Sequence, residues 1–230
     1  IAVWLPGDII ARYHRLMGDN VIFLSGTDCH GIQVTNRAKV EGLTPIEVVN
    51  KYHNEFESCF KNLGFSFDIF TKTHTEYHEE KVKELILYLY KKGYIYEGDN
   101  DNHLYFALSR FEENINNIFN MEQNWRNNAK EILKRYLDGG LRDKAVTRTF
   151  NWGIDVPLEG YEDKKIYVWI EAVMGYITAS MKYLDGKDED WHDYWEGEDS
   201  RVYLVHGKDN IPFHTMIFPS ILIGLGIENP

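Results

Sequence analysis

Four apolar residues, Val21-Ile-Phe-Leu24, run without a break into Ser25-Gly-Thr-Asp28-Cys-His30-Gly31. A short apolar run closed by glycine and polar residues reads as a buried strand ending in a tight loop. Asp28 and His30 therefore fall at the carboxyl end of a strand, where open parallel α/β sheets hold their ligands. The flanking glycines let backbone approach a ligand closely. The same residues also suit a plain βα turn with a capping aspartate, and spacing alone leaves both readings open.

The next fifty residues repeat the alternation. Thr44-Pro45-Ile46-Glu47 carries a capping threonine, a proline suited to the first helical position and a glutamate completing a capping box. It predicts a helix to about Leu63, stopped by Gly64. Phe65–Phe70 alternates apolar and polar residues and reads as a strand. Thr73-His-Thr-Glu76 opens a further helix, with Val82, Leu85, Ile86 and Leu89 as its core stripe and Gly93 as its stop. An initial helix over residues 1–18, kinked near Pro6-Gly7, precedes the first strand. Strand, helix, strand, helix in this order predicts a doubly wound parallel sheet.

Beyond Gly93 the pattern changes. Tyr94–Tyr96 and His103–Ala107 read as strands around an acidic turn, Glu97–Asn102. Ser109–Phe119 and Trp125–Leu137 read as amphipathic helices, and Leu141–Pro157 as irregular. Ile166–Val168 returns to strand, Trp169–Tyr183 to helix, and Val202–Val205 to a short strand. The organisation expected is a nucleotide-binding catalytic domain in two halves, residues 1–93 and 165–230, split by an α+β connective insertion at 94–164.

A total of 43% apolar residues in 230 supports a substantial core. The net charge of −11 argues against gripping nucleic acid by bulk electrostatics, though it leaves room for a local groove. No apolar run approaches membrane-spanning length. Cys29 and Cys59 form no Cys-x-x-Cys pair, so a reduced, cytoplasmic protein is expected.

Two further clusters could carry chemistry. In Val202-Tyr-Leu-Val-His206-Gly-Lys208-Asp209-Asn210 a glycine turn leads to a helix start, where free amides favour an anion and Lys208 adds a positive charge. Asp209 or Asn210 as a simple cap, with Lys208 solvated, explains the same residues. Trp169, Ala172 and Tyr176 share a helix face, with a small residue between two aromatics. That face is either a hollow for an apolar ligand or ordinary core.

Taken in order, Gly26-Thr-Asp28-x-His30-Gly31, Leu141-Arg-Asp143, Thr147-Arg148, Trp152-Gly153, Gly160-Tyr-Glu-Asp163, Tyr167-Val-Trp169, Gly207-Lys-Asp209 and Phe213-His214 resemble the methionyl-tRNA synthetases, class I aminoacyl-tRNA synthetases. The resemblance covers nearly the whole chain. It implies a Rossmann-like catalytic domain that activates methionine with ATP and Mg2+ and transfers it to tRNA. By position, Asp28 is similar to the aspartate that holds the methionine amino group, and Arg148 to the arginine that pairs with it. Trp169, Ala172, Tyr176, Phe213 and His214, with Asn210 nearby, match the side-chain pocket. Gly207 and Asp209 match ribose contacts, His30 belongs with the nucleotide-binding residues, and Lys208 matches the lysine that steadies the phosphates.

Departures accompany the likeness. The family's His-x-Gly-His motif is absent, Ile1-Ala2 resembling the residues directly after it, and so is the Lys-Met-Ser-Lys-Ser loop. A fragment of the catalytic region, inactive alone and lacking part of the tRNA-binding region, is expected. Cys29 stands where many members have glutamate, and Phe218 where some carry a pocket tryptophan. Two lone cysteines cannot supply a four-thiolate site, so no metal site and no structural zinc are expected. Alternatives remain: another class I synthetase for an aliphatic amino acid, or a non-catalytic nucleotide- or amino-acid-binding module.

Overall fold

The computed structural model describes residues 3–99, 101–121 and 124–227. The expectations resting on Ile1-Ala2, on the tip of the Glu97–Asn102 turn at residue 100 and on Pro230 lie outside the described residues. The chain opens with helix α1 (Trp4–Met17), closed by Gly18 in the left-handed conformation. Pro6 falls in its first turn, where a missing amide costs nothing, so it does not kink the helix. Asp8 anchors α1 by accepting the Ser66 amide and hydroxyl, both at 2.7 Å. Arg15 reaches Asp68 at 2.5 Å, and Asp68 also accepts the Phe23 amide.

Strand β1 (Leu24–Thr27) lies later in the chain than the apolar run predicts. It pairs in parallel with β2 (Ile69–Lys72), Leu24 opposite Ile69 and Thr27 opposite Lys72. The pairing explains Gly26: a Cβ there would meet the Thr71 carbonyl oxygen at 2.8 Å. Between the strands run α2 (Ile32–Glu41) and α3 (Pro45–Asn62). The α3 capping box forms as expected, with Thr44 and Glu47 bonded reciprocally. Helix α2 is an addition to the elements the sequence predicts. It starts behind Gly31, whose φ of 122° favours glycine, and has no side-chain cap to announce it.

Helix α4 (Glu76–Lys91) is capped by Thr75, not Thr73. Thr73 instead accepts the Cys29 amide at 2.9 Å, tying the loop after β1 to the end of β2. Strands β3 (Ile95–Glu97), β4 (Leu104–Phe106) and β5 (Lys144–Ala145) form an antiparallel sheet. A 3-10 turn (Leu108–Phe111), α5 (Glu112–Met121) and α6 (Asn127–Asp138) connect β4 to β5. Strands β6 (Thr147–Thr149) and β7 (Lys164–Ile166) pair antiparallel, so β5 and β6 are two short strands inside the stretch read as irregular, and the strand expected at Ile166–Val168 ends at Ile166. Helix α7 (Val168–Leu184) follows, then α8 (Trp191–Glu196), a 3-10 turn (Lys208–Asn210), a π-helical turn (Phe213–Ile217) and α9 (Phe218–Leu225).

Residues 202–205 pair with no strand among the described residues, so the expected strand there is absent. Backbone that bonds no neighbour is not a strand, whatever its apolarity. The parallel sheet is accordingly two-stranded, smaller than the sequence predicts. One core joins α4 (Ile86, Leu89), the antiparallel sheet (Leu104, Phe106), α7 (Ile170, Ile177) and α9 (Ile221). None of the described helices is long and apolar enough to cross a membrane.

Candidate active site

The carboxyl end of β1, one face of α7, the face of α1 and the 199–207 stretch border an open cavity of about 1440 Å³. Of the residues singled out in the sequence, Asp28, Trp169, Ala172, Tyr176, Gly207, Asn210 and His214 line it. They come from chain segments more than 100 residues apart.

Asp28 keeps solvent-exposed surface where it opens onto the cavity, while neighbouring groups crowd its carboxyl. Its carboxyl is pushed up to about 7, first by desolvation and then by the nearby Glu171 charge. The His30 amide, at 3.3 Å, is its one protein hydrogen bond among the described residues, and no ion pair reaches it. A carboxylate held against its tendency to protonate is a receptor for a cation.

The aromatic wall is built on α7. Trp169 stacks on Phe213 with ring centres 4.7 Å apart, so Phe213 backs the wall rather than lining it. The Tyr176 hydroxyl lies 2.8 Å from His214 Nε2, and His214 Nδ1 lies 2.9 Å from the Asn210 carbonyl. That carbonyl can only accept, so Nδ1 carries the proton and Nε2 accepts from the tyrosine. Burial depresses His214 to about 4, keeping the ring neutral, and lifts Tyr176 to about 12, Asp28 adding to the rise. His206 stacks on His214 at 4.0 Å. Phe218 is buried behind Tyr176, 5.6 Å away edge to face, and closes the core rather than the cavity.

Other expectations are corrected. Arg148 does not meet Asp28. It is exposed on β6, lies 4.2 Å over the Tyr167 ring, and donates to the carbonyls of Ala145 and Thr147. Strand pairing fixes it there, with Arg148 opposite Lys165 of β7. Lys208 and Asp209 are exposed and do not line the cavity; they begin a three-residue 3-10 turn, not an α-helix. His30 is buried and turned away, with both ring nitrogens engaged by Glu171 and His74.

The residue the sequence does not flag is Glu171. It is completely buried, one turn along α7 from Tyr167, and accepts from His30 Nδ1 and His78 Nε2, each at 2.9 Å. A glutamate in an apolar helix signature, Trp169-Ile-Glu-Ala172, is the available signal. Cys29 is likewise buried, its carbonyl taking the Trp152 indole at 2.7 Å and its thiol raised to about 11 by burial. It is absent from the cavity wall, so its departure from the family's glutamate does not alter that wall.

A family profile described as "tRNA synthetases class I (M)" matches residues 1–102 and 97–230. The chain belongs to this family. Within this class I synthetase family it is similar to methionine--tRNA ligase 1 of Alkaliphilus oremlandii (strain OhILAs), 38% identical over 290 aligned residues, covering 99% of this chain and 54% of the relative. A methionine--tRNA ligase of Bacillus anthracis (strain CDC 684 / NRRL 3495) is 39% identical, with 98% and 53% covered. Among solved structures, the methionyl-tRNA synthetase of Mycobacterium tuberculosis bound by methionyl-adenylate has a TM-score of 0.86 at 25% identity, covering 99% of this chain and 52% of that one. The chain thus spans about half the length of the relatives it matches. The two matched segments of the family profile meet at the β3–β4 hairpin.

Proposed function

We propose that this class I synthetase chain holds methionine in the cavity and presents it to ATP for conversion to methionyl-adenylate, with tRNA as the final acceptor. The observation that carries the reading is the convergence of Asp28, Trp169, Ala172, Tyr176 and His214 on one cavity. Asp28 is the partner for the amino group, since it opens onto the cavity that Trp169, Ala172 and Tyr176 line and makes no ion pair among the described residues. Ala172 leaves space between Trp169 and Tyr176, and aromatic faces suit a thioether. Neutral His214, locked by Tyr176 and Asn210, offers no charge to repel it.

Activation needs no protein nucleophile. The methionine carboxylate attacks the α-phosphorus of ATP in line, and pyrophosphate leaves with the electron pair of the broken bond. The protein contributes positioning and charge stabilisation. ATP enters as its Mg2+ complex. Gly207 and Asn210 border the cavity and would meet the adenosine there, and Lys208 and Asp209 reach it if the exposed 3-10 turn folds inward. Arg148 takes part only by leaving the Tyr167 ring.

Calorimetric titration with amino acids tests this reading. Methionine should bind, and norleucine should compete within about 1–3 kcal/mol, because a hydrophobic pocket discriminates weakly between near-isosteres. Leucine binding as tightly as methionine would point to a synthetase for another aliphatic amino acid. Absence of any amino-acid binding would refute it.

A further inference from the structure

Behind the aromatic wall, three side chains converge that the proposed methionine chemistry does not use. His30 Nε2, His74 Nδ1 and a Glu79 carboxylate oxygen all lie within 4.8 Å of one another. His74 Nδ1 is 3.2 Å from His30 Nε2 and 2.8 Å from Glu79 Oε1.

Counting protons shows what this cluster lacks. Glu171 is buried and accepts from two imidazoles, so His30 carries its proton on Nδ1 and His78 carries its own on Nε2. The Thr178 hydroxyl, 2.7 Å from His78 Nδ1, can donate to that nitrogen and is compatible with this tautomer. His30 Nε2 is therefore a lone pair. The Glu79 oxygen is another. Both aim at His74 Nδ1, which has at most one proton to give. A second proton on His30 Nε2 would need a lone pair on His74 Nδ1 to receive it, and His74 Nδ1 would then have no proton to give Glu79. One proton cannot serve both contacts, whereas one cation accepts all three lone pairs.

We infer that His30, His74 and Glu79 form a binding site for a divalent transition-metal ion of the zinc class. Two imidazoles and one carboxylate are a ligand set that such ions favour and that magnesium and calcium do not. Ligands of one tetrahedral zinc lie about 3.3 Å apart, close to the two spacings observed. The outer shell is in place: Glu171 fixes the His30 ring through its other nitrogen, as carboxylates do behind metal-bound histidines. Trp152 packs on the His74 ring at 4.7 Å and on His30 at 5.6 Å, shielding one side. The partly exposed His74 and Glu79 leave the other side open for entry and for a water ligand. This set is built from imidazole and carboxylate, not from the thiolates that the cysteine count excludes.

The test uses the 230-residue chain, stripped of metal with a chelator and titrated with Co2+ as a spectroscopic probe. The site predicts visible d–d absorption that saturates at one equivalent and is displaced by Zn2+. Glu79→Gln and His74→Ala should each weaken Co2+ binding by about 10–100-fold or more. His192→Ala, in the exposed pair with Asp190, should leave it unchanged. Glu79 is partly exposed, so Glu79→Gln decides the matter if His74→Ala fails to fold. No saturable Co2+ spectrum, or binding that survives Glu79→Gln, overturns the inference.

Discussion

Two carboxylates near each other, one exposed at the cavity and one buried behind it, have different surroundings. Glu171 has no exposed surface and is bonded through both oxygens to imidazoles. Asp28 lies open to the cavity, with one amide at 3.3 Å and no cation among the described residues. Glu171 is satisfied within the protein, so it fixes the positions of others. Asp28 is unsatisfied, and its carboxyl rises to about 7, first by desolvation and then through the nearby Glu171 carboxylate. A satisfied buried charge reads as scaffold; an unsatisfied one facing a cavity reads as a binding group.

The largest expected effect breaks the scaffold side. Glu171→Ala strips an acceptor from two buried N–H groups at about 1–3 kcal/mol each, so a loss of about 2–6 kcal/mol in chemical denaturation is expected. A loss below about 1 kcal/mol would mean that the histidines find other partners. On the binding side, Asp28→Ala should leave folding intact and weaken methionine binding by about 2–5 kcal/mol in calorimetry. The pair of variants thus separates stability from affinity; equal damage to both properties in both variants would erase the distinction.

Tyr176→Phe probes the wall between them. It removes the hydroxyl that His214 Nε2 accepts, so about 0.5–1.5 kcal/mol of stability should go. The His214 pKa, followed by NMR, should stay below the ordinary histidine value because burial, not the tyrosine, depresses it. The smallest effect is expected at Arg148. A buried ion pair with Asp28 would make its loss cost about 3–5 kcal/mol. On the face of Tyr167 it contributes about 0.5–1 kcal/mol, and Arg148→Ala should lose no more.

The legibility of this fold tracks the range of the interactions involved. The α3 capping box and the glycine stops at Gly18 and Gly64 are local, and each appears where the sequence puts it. The α7 pocket face is legible because helical spacing alone brings Trp169, Ala172 and Tyr176 together. The edges of β1 and β2 shift because register is set by the partner strand, and single-strand apolarity does not encode it. Residues 202–205 look like a strand for the same reason and find no partner among the described residues. Helix α2 starts without a side-chain cap and so announces itself weakly. Glu171 is hard to read from sequence because its meaning depends on His30 and His78, which are 141 and 93 residues away. The resemblance implies a site role for Arg148, while the structure has it on β6 opposite Lys165.

The central claim is that Asp28 awaits a cation, and the pH dependence of methionine binding tests it most directly. With its carboxyl near 7 in the free protein, Asp28 is protonated below that pH and cannot hold an ammonium group. Binding must then expel the proton. Methionine affinity should therefore be pH-independent just above 7 and fall by about tenfold per unit as pH drops below it, one proton being linked to one ligand. Asp28→Asn should bind weakly and show no such slope. A flat affinity between pH 5 and 7 in the unaltered protein, or an unchanged slope in Asp28→Asn, would contradict the account.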